Sequence, residues 1–221
     1  MNKVIKCILL DLDGTILNSG PDLLHALNHV LEKQNLKTID KNVIGSLVGG
    51  GAKAMIERAY NFLHEKVPSN KMDILIDCFL DFYIKNCSKS SHLYPNVEVT
   101  IKSLKSKFKL ALCSNKKQEI TEKIIREFNL IYSFDCVLGS SDKHKLKPDT
   151  EMLEYCLKIL KVKPEQTIMV GDSMNDIIPA HKIGMQTIFV NYGYGKLDNS
   201  IKPNHVVSSF EEILKIPGIK P

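Results

Sequence analysis

The sequence lacks three features that would assign it to a specialised class of protein. Its six cysteines form no Cys-x-x-Cys pair, so neither a zinc ribbon nor a dithiol redox site is indicated. No apolar stretch approaches the roughly 20 residues of a membrane-spanning helix. The first apolar run is short and is interrupted by Asp11, which argues against a signal peptide. Together with free cysteines in apolar runs, these absences predict a protein of a reducing compartment, and we expect it to be cytoplasmic.

The composition is that of a folded chain with a mild positive charge. Hydrophobic residues make up 43% of the 221 residues, which is enough for a substantial core. The 30 Lys+Arg against 25 Asp+Glu give a formal net charge of +5. The lysines are scattered, as in residues 102–109, which is typical of a solvated helix face. This charge suits small anionic ligands as well as nucleic acid, and therefore does not decide between them.

Short apolar runs alternate with longer amphipathic segments over most of the chain. Several of the runs are apolar on both faces, as strands buried on both sides of a sheet are. Because the segments between them have helical spacing, the alternation predicts a parallel sheet covered by helices on both faces. We expect an α/β fold with a Rossmann-like core, and Pro179 in or near the first turns of its last helix. The predicted strands are 4–10, 109–115, 134–139, 166–172 and 186–192.

Residues from about 19 to 91 break this alternation. Helical patterns follow one another there without a convincing strand, and Pro21 marks the first helix start. An all-helical stretch after the first strand of a parallel-sheet protein indicates an inserted domain. We therefore predict a core of residues 1–17 and 90–221, with an all-helical cap domain of residues 18–89.

Polar side chains follow several of the predicted strands. In an open parallel sheet, ligands bind beyond the carboxyl ends of the strands, so groups that are distant in sequence meet at one edge. Isolated aspartates are usually turn or helix-cap residues, but several acids together with a lysine at one edge indicate a site. The groups predicted to meet there are Asp11, Asp13, Ser114, Asn115, Lys147, Asp172 and Asp176.

The chemistry of these groups points to phosphate esters. Crowded carboxylates repel one another unless a hard cation lies among them, and oxygen-only ligands suit Mg²⁺. A carboxylate such as Asp11 is also a nucleophile toward phosphorus. Ser114 and Lys147 are suited to hold the oxygens of a transferred phosphoryl group. Gly14 permits a tight turn in which the amides after Asp13 face that group.

Four motifs resemble those of the haloacid-dehalogenase-like hydrolases, in the order of that family and over essentially the whole chain. They are DLDGT at 11–15, CSN at 113–115, the lysine of KLKPD at 147, and GDSMND at 171–176. The resemblance implies that Asp11 is the nucleophile and a metal ligand. It implies that Asp13 is the general acid and base, with its carbonyl on the metal, and that Asp172 is the third ligand. It further implies phosphate-binding and supporting residues, namely Ser114, Asn115, Lys147, Asp176, Gly14 and Thr15.

Within this family, residues 12–27, 48–59 and 191–195 resemble the phosphoglycolate phosphatases. Dehalogenating members lack the second acid, so the presence of Asp13 favours a phosphatase. The resemblance implies 2-phosphoglycolate as substrate, and therefore a small phosphorylated metabolite as partner. We expect no nucleic acid and no membrane as partner, and a monomer or a homodimer. Alternatives are a phosphatase acting on pyrophosphate, nucleotides or sugar phosphates, a sugar phosphomutase, and lastly a non-catalytic binding protein.

Two assignments keep alternatives open. The backbone N–H groups of Gly50 and Gly51, assisted by Lys53, are suited to hold a small carboxylate, but a glycine run before a helix is also a common flexible joint. Asp176 is suited to metal contact through water, and equally to capping the helix in which it lies.

Overall fold

The computed structural model describes residues 4–198 and 201–219, which fall into two compact units. One unit comprises the described residues up to Leu17 and from Leu93 onward, and the other is Asn18–His92. No helix in the described ranges has the length and apolar character that crossing a membrane requires. The assignment of these units as a catalytic core and a cap stays a prediction.

A six-stranded sheet forms the centre of the first unit. Its strand order is β5-β4-β1-β6-β7-β8, and every neighbouring pair is parallel. A separate two-stranded sheet consists of β2, Leu17–Asn18, and β3, His92–Leu93. The strands of the large sheet are β1 Cys7–Leu10, β4 Lys109–Lys117, β5 Cys136–Ser140, β6 Thr167–Gly171, β7 Gln186–Val190 and β8 His205–Val207.

Burial on both faces explains why these runs form parallel strands. All four residues of β1 and all five of β6 are buried, so neither strand has a polar face for solvent. On one side, Cys7 and Leu9 pack with Met152 and Cys156 in a single apolar cluster. The predicted α/β class with a parallel, Rossmann-like sheet is confirmed. The helices of this unit are α5 Val97–Lys105, α6 Gln118–Glu127, α7 Glu151–Leu160 and α8 Met174–Lys182.

Between its two ends, the second unit is built from helices, as its sequence predicts. They are α1 Gly20–Lys33, α2 Ile44–Leu47, α3 Gly51–Phe62 and α4 Met72–Asn86. The buried carboxylate of Asp22, in the first turn of α1, accepts hydrogen bonds from Ser90 N at 2.9 Å, Ser91 N at 2.8 Å and Ser91 Oγ at 2.7 Å. This carboxylate therefore joins the beginning of the unit to its end.

The structure contains short strands that the sequence did not predict, namely β2, β3 and β8. Strand β8 was not predicted, because its three residues are too few to carry an alternating pattern. Pro179 lies in the second turn of α8, which agrees with its predicted place in or near the first turns of that helix. The helix begins at Met174, where the Asp176 carboxylate accepts a hydrogen bond from Ser173 N at 3.2 Å and fixes the helix start.

Candidate active site

Two of the predicted acids follow neighbouring strands directly. Leu10 of β1 is in register with Val170 of β6, and Asp11 N donates to Val170 O at 3.0 Å. Asp11 and Asp172 therefore leave the sheet side by side at its carboxyl edge. Asp176, in the first turn of α8, completes a cluster in which one carboxylate oxygen from each of the three lies within 4.8 Å of the others. All three residues are buried.

Lys147 lies among these carboxylates and is itself buried. Its Nζ donates to Asp11 Oδ1 at 2.8 Å, to Asp176 Oδ1 at 2.6 Å and to Cys113 O at 2.6 Å. Burial alone would lower the pKa of Lys147, but the charges of Asp11 and Asp176 outweigh it and raise this pKa above its ordinary value. The side chain is therefore an ammonium with three acceptors.

One ammonium does not balance three buried carboxylates. Burial raises the pKa of Asp11 well above its usual value; the Lys147 ammonium opposes this rise, and the charges of Asp176 and Asp172 add to it. Burial also raises the pKa of Asp172, to about 7, with Asp176 adding to the rise. The cluster thus favours additional positive charge, and its oxygen donors fit a hard divalent cation.

The backbone packs closely around Asp172. Its Oδ2 accepts hydrogen bonds from Tyr194 N at 2.7 Å and from Gly195 N at 3.1 Å. A Cβ atom on Gly14 or Gly193 would overlap the Asp172 carboxylate, and Gly14 also has a φ of +81°. Because Gly14 and Gly193 have no side chain, the two loops that carry them can contact the Asp172 carboxylate. The contact of residues 191–195 with Asp172 was not predicted from the sequence, although two glycines just after a strand were a signal for it.

Asp13 does not join the carboxylate cluster. Its Oδ1 instead lies 2.8 Å from Nζ of Lys116, whose side chain is only 6% exposed. Lys116 was not among the predicted site residues. It lies two residues after Ser114 at the end of β4, where the pairing with β5 is irregular, so strand alternation gave no signal for it.

The other predicted residues of this unit lie around the cluster. Ser114 is buried, and its Oγ accepts a hydrogen bond from Lys116 N at 3.2 Å. Asn115 pairs with the backbone of Lys147 twice, accepting from its N at 2.9 Å and donating to its O at 2.7 Å. The amide of Asn115 thus holds the Lys147 loop, and its phosphate contact stays a prediction. The Thr15 hydroxyl is buried and has no hydrogen-bond partner among the described residues.

The glycine run of the second unit has an ordered local structure. Gly49, Gly50 and Gly51 have φ angles of +104°, +75° and +83°. Nη1 of Arg58 donates to Gly49 O at 2.7 Å and to Leu47 O at 2.9 Å, which holds the segment before α3. Lys53 is exposed. The role proposed for Gly50, Gly51 and Lys53 in binding a carboxylate stays a prediction.

Comparison with known proteins supports the resemblance seen in the sequence. The phosphoglycolate phosphatase of Haemophilus influenzae (strain 86-028NP) is 32% identical over 224 residues, which cover 98% of this chain and 100% of that protein. The enzyme of the same name from Aquifex aeolicus is 32% identical over 213 residues and 96% of each chain. A crystal structure described as a predicted phosphoglycolate phosphatase from Haemophilus somnus 129pt gives a TM-score of 0.87 at 31% identity, over 96% of this chain and 97% of that one. Since the family model described as haloacid dehalogenase-like hydrolase matches residues 8–190, the chain belongs to that family.

Proposed function

We propose that this chain is a Mg²⁺-dependent phosphatase that hydrolyses 2-phosphoglycolate to glycolate and inorganic phosphate. The observation that carries the proposal is the cluster of Asp11, Asp172 and Asp176 carboxylates around the Lys147 ammonium at the carboxyl edge of the sheet. The chain is a phosphomonoester hydrolase by its family and relatives. The choice of 2-phosphoglycolate rests on the names of relatives that it matches over nearly their full length.

The donor set and its charge fit Mg²⁺. Asp11 and Asp172 would hold the ion through their carboxylates and Asp13 through its main-chain carbonyl, with Asp176 as the neighbouring acid. When bound, the ion would offset the repulsion between these acids and an anionic substrate, and would polarise the phosphoryl oxygens. Oxygen-only ligation is what this hard cation prefers.

The reaction proceeds through two displacements at phosphorus, and Asp11 and Asp13 take part in both. A carboxylate oxygen of Asp11 attacks the phosphorus, the bond to the glycolate oxygen breaks, and Asp13 gives its proton to that leaving oxygen. Water then attacks the phosphorus of the aspartyl phosphate and gives a proton to Asp13, and the bond between phosphorus and Asp11 breaks. Ser114 and Lys147 hold the equatorial phosphoryl oxygens during both steps.

A substrate panel tests the proposal. Phosphate release would be measured for 2-phosphoglycolate, pyrophosphate, nucleotides and sugar phosphates, each with Mg²⁺ and with a chelator. We expect kcat/KM to be highest for 2-phosphoglycolate by at least about tenfold, and activity to disappear with the chelator. Preference for another compound would contradict the substrate alone, and activity in the chelator would contradict the metal. Return of the phosphoryl group to a sugar would indicate a mutase, and no release from any compound would contradict hydrolysis.

A further inference from the structure

We propose that Lys116 binds the carboxylate of the substrate and thereby selects phosphomonoesters with an acid group on the leaving alcohol. The inference rests on the proposed function, because that reaction defines which end of the substrate leaves. It adds a specificity residue that neither the motifs nor the carboxylate cluster includes. Its basis is the position of one nearly buried ammonium beside Asp13.

The environment of Lys116 is unusual for a lysine. Its side chain is 6% exposed, whereas that of Lys145 is 71% exposed. Removing an ammonium from water is unfavourable unless an acceptor oxygen faces it, and Asp13 Oδ1 lies 2.8 Å from Nζ of Lys116. The chain therefore keeps a desolvated positive charge next to the group that we assign as the general acid.

This position corresponds to the leaving-group end of the substrate. A general acid must come within about 3 Å of the oxygen that it protonates. Since Nζ of Lys116 is 2.8 Å from Asp13 Oδ1, it lies within about 6 Å of that oxygen. In 2-phosphoglycolate, a single methylene separates the ester oxygen from the carboxylate. The carboxylate can therefore reach Nζ of Lys116 while the phosphoryl group lies against Asp11.

Lys147 does not suit the same task. An ammonium has three N–H donors, and those of Lys147 point to Asp11, Asp176 and Cys113 O. These partners belong to the nucleophile and to the acids around it, so Lys147 serves the phosphoryl end. The charge of Lys147 thus acts at the phosphoryl end of the substrate, and the ammonium of Lys116, whose side chain is 6% exposed, acts at the carboxylate.

The test compares two substrates that differ only in the group facing Lys116. They are 2-phosphoglycolate and 2-hydroxyethyl phosphate, in which a hydroxymethyl group replaces the carboxylate. Because both use Asp13 in the same way, the ratio of their kcat/KM values cancels any effect that a substitution has through Asp13. We expect Lys116→Met to lower this ratio by about 10²-fold, mainly through KM for 2-phosphoglycolate. Lys116→Arg should restore part of the ratio, since it keeps the charge.

The matched control is Lys117→Met, which changes the exposed neighbouring lysine and should leave the ratio unchanged. Circular dichroism and the thermal midpoint check that each variant folds, and Lys116→Gln replaces the methionine variant if that one does not. An equal loss on both substrates would overturn the inference, because Lys116 would then act only through Asp13. A wild-type protein that hydrolyses 2-phosphoglycolate without preferring it to the hydroxyethyl ester would overturn it as well. No hydrolysis of 2-phosphoglycolate beside activity on other esters would contradict the proposed function instead.

Discussion

At the scale of single residues, the site is defined by charge that the side chains do not balance among themselves. The carboxylates of Asp11, Asp172 and Asp176 share one ammonium, that of Lys147. Burial strengthens this imbalance, because it raises the pKa values of Asp11 and Asp172. A protein that needed these residues only for stability would gain from fewer buried acids. A cation bound among these acids would remove the imbalance, as the proposed function requires.

Lys147 should contribute to stability most strongly when no divalent cation is present. Lys147→Met leaves Asp11 and Asp176 buried without their ammonium, so we expect a loss of about 3–5 kcal/mol in the free energy of unfolding, measured by urea denaturation in a chelator. Added Mg²⁺ should recover part of this loss. The control Lys145→Met removes an exposed lysine paired with Glu151 and should leave the unfolding curve unchanged. Wild-type stability of Lys147→Met in the chelator would contradict the charge argument.

Gly14 should be required for activity because it leaves space for the Asp172 carboxylate, and not only because of its backbone conformation. In Gly14→Ala the new Cβ would overlap the Asp172 carboxylate, and we expect kcat/KM to fall by about 10²-fold or more, since small displacements of catalytic groups have effects of that size. Gly184→Ala is the matched control. Its φ of +83° is nearly the same as that of Gly14, but no atom lies within 4 Å of its Cβ.

The two alanine variants should therefore differ in steady-state kinetics more than in folding. Both place alanine in a left-handed conformation, which costs roughly 1–2 kcal/mol. Only Gly14→Ala should lose activity. Equal activity of the two variants would show that the close approach of Gly14 to Asp172 has no role in the reaction.

At the scale of secondary-structure elements, the sequence predicted the strands whose burial is complete. The runs that became β1 and β6 each have consecutive apolar residues that point to both faces, Cys7–Leu10 and Ile168–Val170, and such runs are recognisable without any partner. The short β8 and the loop around Gly193–Gly195 were missed, because their structure depends on neighbours that are distant in sequence. Lys116 was missed for a similar reason, since its burial beside Asp13 is not visible in a lysine-rich segment.

The hydrogen bonds of the Asp22 carboxylate should stabilise the helical unit, because they join its beginning to its end. An asparagine at this position has one acceptor oxygen in place of two and no charge, whereas Asp22 accepts hydrogen bonds from Ser90 N, Ser91 N and Ser91 Oγ. We expect Asp22→Asn to reduce the free energy of unfolding by about 2 kcal/mol, measured by thermal or urea denaturation. Asp73→Asn, in the exposed first turn of α4, should have a much smaller effect. Equal stability of the two variants would contradict this assignment.

At the scale of the whole molecule, the parallel sheet brings four distant sequence segments to one edge. The motifs around Asp11, Ser114, Lys147 and Asp172 were enough to predict the family, which the comparisons confirm. They were enough because each motif follows a strand or precedes a helix in a fixed place in the fold. Substrate choice was less accessible to sequence reasoning, since the residue that we propose for it, Lys116, lies outside the four motifs. The assignment of the helical unit as a cap likewise stays a prediction.

The central claim is that Asp11 attacks the phosphorus, and the most direct test is phosphate release by Asp11→Asn. It would be measured with 2-phosphoglycolate at saturating Mg²⁺, on protein whose folding has been checked by circular dichroism. The asparagine preserves the shape of the side chain but removes the nucleophilic carboxylate, so we expect kcat to fall by more than about 10³-fold. An Asp11→Asn variant that keeps kcat within tenfold of the wild type would contradict this claim.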